Sequence, residues 1–311
     1  MSVDFKKLRN FVKIVDAGSL SQASGILRTA QPALSQQMAG LESHFRQKLL
    51  LRSNTGIEPT EAGRVLYRHA QILLKQLEQA EADVVRSAST VTGHVAIGLA
   101  TYGATAALSL PLLEAMAVRH PTVVIHVNDS FGQILSELIM SGRMDMAVIY
   151  GAGPIKGVAL RPLFRERLFM VTGRSDVVTA DEAPISLHDL NGVRLLVPGR
   201  THFLRQLIDA SFARARAAPT VVAEIESITT LGAAVKAGLG ATILPFSAAV
   251  AISNANAGSV RALTRPTIEA TVSLCVSDHL PLSEAATATR AVLLEIVSDL
   301  VASRHEGIRA P

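Results

Sequence analysis

Apolar positions in the first 85 or so residues repeat at helical spacing, whereas those of the remainder gather into short runs, so the pattern alone divides the chain. Leu8, Phe11, Val12 and Val15 follow i, i+3, i+4, i+7 and predict a helix from Phe5 to about Ala17, ended by Gly18. Ser19 can cap a second helix by accepting the Gln22 amide while the Gln22 side chain returns to the Ser19 amide. Ala23, Ile26 and Leu27 supply the inner face of that helix. After a break at Arg28 to Ala30, a third helix carries Pro32 in its first turn, where a missing amide proton costs little. Leu34, Met38, Leu41 and Phe45 face its neighbours, leaving Gln31, Ser35, Gln36, Ala39 and Ser43 outside.

The segment KLLLRSNTGIEPTEAG reads as two extended pieces around Asn54, Thr55 and Gly56, a hairpin wing, with Thr60 capping a fourth helix that runs to about Arg86. Ala62, Leu66, Ala70, Leu73, Leu77, Ala80 and Val84 recur along it at intervals close to a two-stranded coiled coil. Its remaining face is polar, so Leu66, Ala70, Leu73, Leu77, Ala80 and Val84 predict a dimerisation seam; packing on its own domain is the alternative. From Thr92 onward, HVAIGLA, TVVIHVN, MDMAVIYG, RLFMVTG, VRLLVPG, TVVAEIES and GATILP alternate with helical stretches, which implies βαβ units and a mostly parallel sheet. The fold class expected is α/β overall. It comprises an all-α winged helix-turn-helix over 1–60, a linker helix over 61–88 and a two-lobed α/β domain over 93–311. The lobes exchange near Arg161 to Leu163 and Arg265 to Thr267, giving lobe I as 93–162 with 267–311 and lobe II as 163–266.

Charge changes the picture at one end. Residues 1–75 hold 11 Lys and Arg against 5 Asp and Glu, whereas the rest hold 19 against 21. A basic N-terminal domain whose third helix exposes Gln and Ser suits phosphates and major-groove base edges, although the same face also serves as ordinary solvated surface. The single Cys275 lies in the apolar run TVSLCVS and reads as a small buried hydrophobe. Ser87 to Leu113 lacks charged residues but is interrupted by Gly93, Gly98, Gly103 and Pro111, so a buried strand and helix are expected there and not a membrane span. Charges every few residues at the N-terminus, with no apolar run, imply a cytoplasmic address. No nucleotide-binding glycine pattern, nucleophile elbow or zinc-type His and Cys spacing occurs, so no catalytic residue, metal site or cofactor is expected.

The run LRNFVKIVDAGSLSQASGILRTAQPALSQQMAGLESHF, followed by LLLRSNTGIEPTEAG, resembles the DNA-binding domain of the LysR-type transcriptional regulators. GRMDMAVIYG and GLGATILP resemble the effector domain of the same family, so the likeness spans the chain. Within the family, FVKIVDAGSLSQA, AQPALSQQ and EIESITTLGAAVKAGLGATILP are most similar to the nitrogen assimilation control proteins.

The resemblance implies a periplasmic-binding-protein-like sensor and a dimer or homotetramer that binds an interrupted inverted repeat in double-stranded DNA and acts with RNA polymerase. It places Ser19 and Ser21 near the DNA backbone, Arg28, Gln31, Pro32, Ser35 and Gln36 at the groove, and Arg52 on the wing for phosphate. Thr55 stands where the family commonly carries a second basic residue, and Asn54 where it often has a polar or basic one, so the salt dependence of binding is expected to be shallower, by a slope of about 0.9 per lost contact. A small anionic effector would meet Ala100, Thr101 and Tyr102, Ser130 and Phe131, Arg200, Thr201 and His202, and Ser227 and Thr229. For the Ser and Thr residues plain helix capping is the alternative. The nitrogen-control resemblance implies instead a cleft without a co-inducer. Regulation of a catabolic operon by an anionic metabolite, and a solute-binding module on fold alone, are the other readings.

Overall fold

The computed structural model describes residues 3–53, 56–85, 91–151, 153–173, 183–256, 259–303 and 307–311. Asn54 and Thr55 of the wing tip, and 86–90 at the end of the expected linker, lie outside the described residues. The chain divides into an N-terminal and a C-terminal compact unit.

In the N-terminal unit, α1 (Phe5–Ala17) is capped by Asp4, which accepts the Lys7 amide at 2.8 Å, and closed by Gly18 at φ 61, a left-handed turn that glycine adopts without steric cost. Helices α2 (Leu20–Leu27) and α3 (Gln31–Phe45) follow, then β1 (Leu50–Ser53), antiparallel β2 (Gly56–Pro59) and α4 (Glu61–Val85). Phe11, Ile14, Leu20, Ala23, Leu34, Met38 and Leu41 form the core with Leu49 and Leu50 at the wing base. Two expectations are corrected. Ile26 is 63% exposed, because the buried stripe of α2 runs through Leu20 and Ala23 and leaves Ile26 on the far side. Phe45 is 41% exposed at the last turn of α3, edge-on to His44.

Helix α4 serves two purposes along its length. Ala70 and Leu74 are buried against Leu8 and Val12 of α1, with Leu66 and Tyr67 partly buried beside them, and the Tyr67 hydroxyl donates to Asp16 of α1. Leu66 and Ala70 therefore pack within their own unit. Leu73, Ala80 and Val84 are exposed and Leu77 is half-buried.

In the C-terminal unit, β3 (Gly93–Ala100) pairs in parallel with β4 (Val123–Ser130) and β5 (Met146–Tyr150), with α5 (Ala104–Arg119) and α6 (Gly132–Met140) as the connecting helices. The long β6 (Val158–Thr172) then leaves this lobe. The second lobe holds β7 (Ile185–Ser186), β8 (Arg194–Val197), α7 (Phe203–Ala215), β9 (Thr220–Glu224), α8 (Ile228–Lys236), β10 (Thr242–Pro245), α9 (Phe246–Asn256) and β11 (Ser259–Thr264). The chain returns by β12 (Glu269–Ser277) to α10 (Glu284–Ala302), which packs on α5 and β3, and ends at β13 (Ile308–Arg309).

All seven expected strand runs are strands, but the sheet is mixed. Strand β3 runs parallel to β4 and β5, β8 to β9 and β11 to β7, whereas β12 pairs antiparallel with β5 and β6, and β10 and β11 pair antiparallel with β6. Strands β6 and β12 carry the chain between the lobes in opposite directions and so pair antiparallel. Strand β6 stays on β12 as far as Arg167 and takes up β10 at Leu168. Cys275 is fully buried against α6, and its burial pushes the thiol pKa up to about 11.

Candidate nucleic-acid interface and sensor cleft

On the N-terminal unit, Ser19 caps α2 by accepting the Gln22 amide at 3.4 Å, and Ser21, in the first turn of α2, is exposed. Arg28 closes α2 at φ 49 with its side chain in solvent. Helix α3 starts at Ala30 with no side-chain cap, and Gln31, Pro32, Gln36, Ala39 and Ser43 are exposed along one side while Ser35 is half-buried. Leaving the amides of a helix start uncapped keeps them available to an anion. Arg52 stands on β1 opposite Ile57, and its Nη2 donates to Ser35 Oγ at 3.1 Å.

The wing is bound tightly to the helices. Glu42 of α3 accepts the Leu49 and Leu50 amides at 3.0 and 3.4 Å, and the Ile57 amide donates to Gly18 O at 2.7 Å. Burial works against ionised Glu42, but Lys48 and these two amides outweigh it and hold the carboxyl below its ordinary pKa. Thr60 donates its hydroxyl to Lys48 O at 2.6 Å and accepts the Gly63 amide at 2.9 Å, joining β1 to the start of α4.

In the C-terminal unit the strand ends of the two lobes meet. Tyr102, after β3, is 3% exposed, has φ 77 and donates its hydroxyl to Ile225 O of the other lobe at 2.6 Å. A bulky side chain at positive φ is unusual and persists only where surrounding contacts hold it. His202 caps α7 with Nδ1 accepting the Leu204 amide at 3.1 Å, and its ring stands edge-on to Tyr102 and to Phe131, with centroids 5.2 and 5.1 Å away. Burial lowers the His202 pKa to about 4, so the ring is neutral near pH 7. Phe203 stacks on Tyr150 at 6.4 Å with the rings 7° from parallel.

Behind this contact, Glu166 of β6 is fully buried, accepting the Ser247 amide at 2.8 Å and the Tyr150 hydroxyl at 3.1 Å, and burial raises its pKa. Gly103 is needed beside it, since a Cβ there would lie 1.6 Å from the Tyr150 hydroxyl.

Two family models match the chain: "Bacterial regulatory helix-turn-helix protein, lysR family" over residues 5–64 and "LysR substrate binding domain" over residues 88–298. The chain belongs to the LysR family of transcriptional regulators. Among the relatives of this LysR regulator, the nitrogen assimilation regulatory protein nac of Klebsiella aerogenes is 39% identical over 299 residues, covering 95% of this chain and 96% of that protein. Its namesake in Escherichia coli (strain K12) is 38% identical over 307 residues, covering 98% of each. Full-length OxyR from Pseudomonas aeruginosa shares the fold with a TM-score of 0.74 at 22% identity, covering 96% of this chain and 95% of that one. Full-length CbnR complexed with its target DNA has a TM-score of 0.67 at 22% identity, covering 96% and 99%.

Of the effector positions assigned to this LysR regulator by resemblance, the structure joins Tyr102, Phe131 and His202 in one contact. Ala100 is buried in the core, and Ser130 accepts the Thr101 amide through its carbonyl at 3.2 Å. Thr101 Oγ1 is buried without a hydrogen-bond partner among the described residues. Arg200 and Thr201 are exposed, with Arg200 3.6 Å from Glu224. Ser227 is the cap of α8, and Thr229 is exposed and lines a groove between α8 and α9.

The reading of the sequence did not include Tyr150, Glu166, Phe203 or Ile225. Glu166 did carry a signal: in the strand FRERLF it alternates with Arg165 and Arg167, so it points to the opposite face from two cations. Among the described residues, no helix is long and apolar enough to cross a membrane.

Proposed function

We propose that this LysR regulator acts in the cytoplasm, binds an interrupted inverted repeat as a dimer within a tetramer, and controls nitrogen-assimilation operons with RNA polymerase, without requiring a small-molecule effector. Identity of 38–39% to the two nac proteins across helix-turn-helix, linker and sensor alike carries the nitrogen assignment. The cleft supports independence from an effector, because His202 contacts both Tyr102 and Phe131 there and Tyr102 bonds across to Ile225 O. Genome-wide mapping of sites bound by the purified protein with no ligand added tests both halves. Inverted repeats upstream of nitrogen-scavenging operons are expected. Sites confined to its own gene and one divergent catabolic operon would discard the nitrogen assignment.

One observation favours a second reading. The unpartnered Thr101 hydroxyl at the cleft is a group that an anionic metabolite could engage. A metabolite response that is weakened by Arg200→Ala or Thr101→Val in a promoter assay would favour that reading.

The recognition surface consists of Gln31, Pro32, Ser35 and Gln36 with Arg28, and of Ser19, Ser21 and Arg52 near phosphates. Gln36→Ala is expected to cost about 1–3 kcal/mol of discrimination at one base pair per half-site, because Gln pairs two hydrogen bonds with adenine. Competition between operators differing at single positions measures it, and an equal loss on all sequences would move Gln36 to the backbone-contacting group. The dimer seam begins where α4 leaves α1, at Leu73, and continues through Leu77, Ala80 and Val84. Leu73→Asp with Leu77→Asp is expected to shift the protein to smaller species in analytical ultracentrifugation without changing its secondary structure; an unchanged mass would place the seam elsewhere.

A further inference from the structure

The contact between Arg52 and Ser35 joins the wing to the recognition helix, and its chemistry has a direction. A guanidinium carries donors only, so at 3.1 Å the Ser35 Oγ must be the acceptor. With one lone pair committed to a cation, the hydroxyl hydrogen remains free to point outward, and donation from a hydroxyl polarised in this way is strengthened while further acceptance is weakened. Neighbouring Gln31 and Gln36 carry amides that both donate and accept, so Ser35 is the member of the exposed face whose polarity is fixed by a neighbour.

The backbone makes the contact more than a chance meeting of two long side chains. Glu42 holds the Leu49 and Leu50 amides, and Leu49 and Leu50 are buried in the core with Leu34 and Met38. Arg52 follows two residues later on a strand fixed by its register with Ile57, whose amide is held by Gly18 O. Wing and recognition helix thus move as one piece, and the guanidinium is presented to the α3 turn that carries Ser35.

We infer that Arg52 is a specificity-determining positioning residue that acts through Ser35, setting its hydroxyl as a donor toward the DNA. In the major groove such a donor selects the acceptor edges of guanine (N7, O6), adenine (N7) or thymine (O4) and disfavours the cytosine amino group. This goes beyond a phosphate contact, which fixes register and carries no base information. The inference rests on the DNA-binding reading above.

The test is selection of bound sequences from a random DNA pool by the full-length protein and by Arg52→Ala, Ser35→Ala and the double variant, with helix content checked by circular dichroism. The wild-type protein is expected to exclude cytosine at one position per half-site. Both single variants should relax that preference at the same position, by roughly 5-fold, the scale of one net hydrogen bond. The double variant should relax it no further, since the two groups act as one unit. The inference is overturned if Arg52→Ala weakens all sequences alike and keeps the base preference, or if the two single variants change different positions or add independently. If the wild-type protein enriches no sequence at all, the DNA-binding reading itself fails and this inference fails with it.

Discussion

Gly63→Ala is expected to lose operator binding and to destabilise the N-terminal unit by about 3 kcal/mol, the upper end for overpacking a close contact. A Cβ at position 63 would lie 2.0 Å from the Leu49 carbonyl oxygen and 3.2 Å from Cβ of Pro59. Backbone cannot move aside as a flexible side chain can. The first turn of α4 must therefore separate from Leu49, breaking the bond from the Thr60 amide to Leu49 O at 3.0 Å and the bond from the Thr60 hydroxyl to Lys48 O. Leu49 is 2% exposed and anchors the wing, so the shift also displaces Arg52 from α3. Gly25→Ala is the matched control. Among the described residues, nothing beyond its own helix backbone and chain neighbours lies within 4 Å of a Cβ there, and removing a glycine from a helix should stabilise by about 0.5–1 kcal/mol. Thermal unfolding of the full-length variants, with operator binding by fluorescence anisotropy, separates the two. Wild-type melting and binding in Gly63→Ala would show that Leu49 yields, and would sink the argument.

The N-terminal unit was legible in the sequence because its helices bury one face each. Period 3.6 is then visible in Leu8, Phe11 and Val12, and the local signals at Ser19, Pro32 and Thr60 all mark real helix starts. Ile26 was misplaced because a two-turn helix contains too few positions for its periodicity to fix a face, and Leu20 took the buried place. The upper part of α4 shows the converse limit. One heptad pattern from Ala62 to Val84 serves first α1 and then solvent, and spacing cannot tell an intramolecular partner from an intermolecular one.

The first half of β6 was hidden for a different reason. VALRPLFRER mixes charge and proline, and Pro162 cannot donate to a ladder; the pairing with β12 slips there, passing from Phe164 opposite Val272 to Pro162 opposite Ser273. The cleft was least legible. Tyr102, Phe131 and His202 were named by resemblance, whereas their mutual contact joins residues far apart in the chain and depends on how β3, β4 and α7 end. Helix capping, the alternative for the Ser and Thr residues, is what Ser227 does, its side chain accepting the Thr230 amide.

The burial of His202 gives the sensor unit a dependence on acid. Its folded pKa, about 4, is below the ordinary value of 6.5, so the unfolded chain binds a proton that the folded one refuses over that interval. Stability from this group is fully present above about pH 6.5 and is lost as pH falls toward 4. A difference of this size is worth about 3 kcal/mol in total and about 2 kcal/mol by pH 5. Protonation would put a cation between Tyr102 and Phe131 in a site that is 8% exposed, so separation of the lobes is the relief closest to hand. Urea unfolding of the sensor transition at pH 7.5 and pH 5.0 should therefore show a larger loss in the wild-type protein than in His202→Asn, which can still cap α7 but cannot titrate. The Asn variant lowers stability at both pH values through lost ring packing, so the comparison is between pH slopes and not absolute midpoints. Equal slopes would mean that His202 is either solvated or already charged in the folded protein, and would remove its burial as the source of the acid dependence.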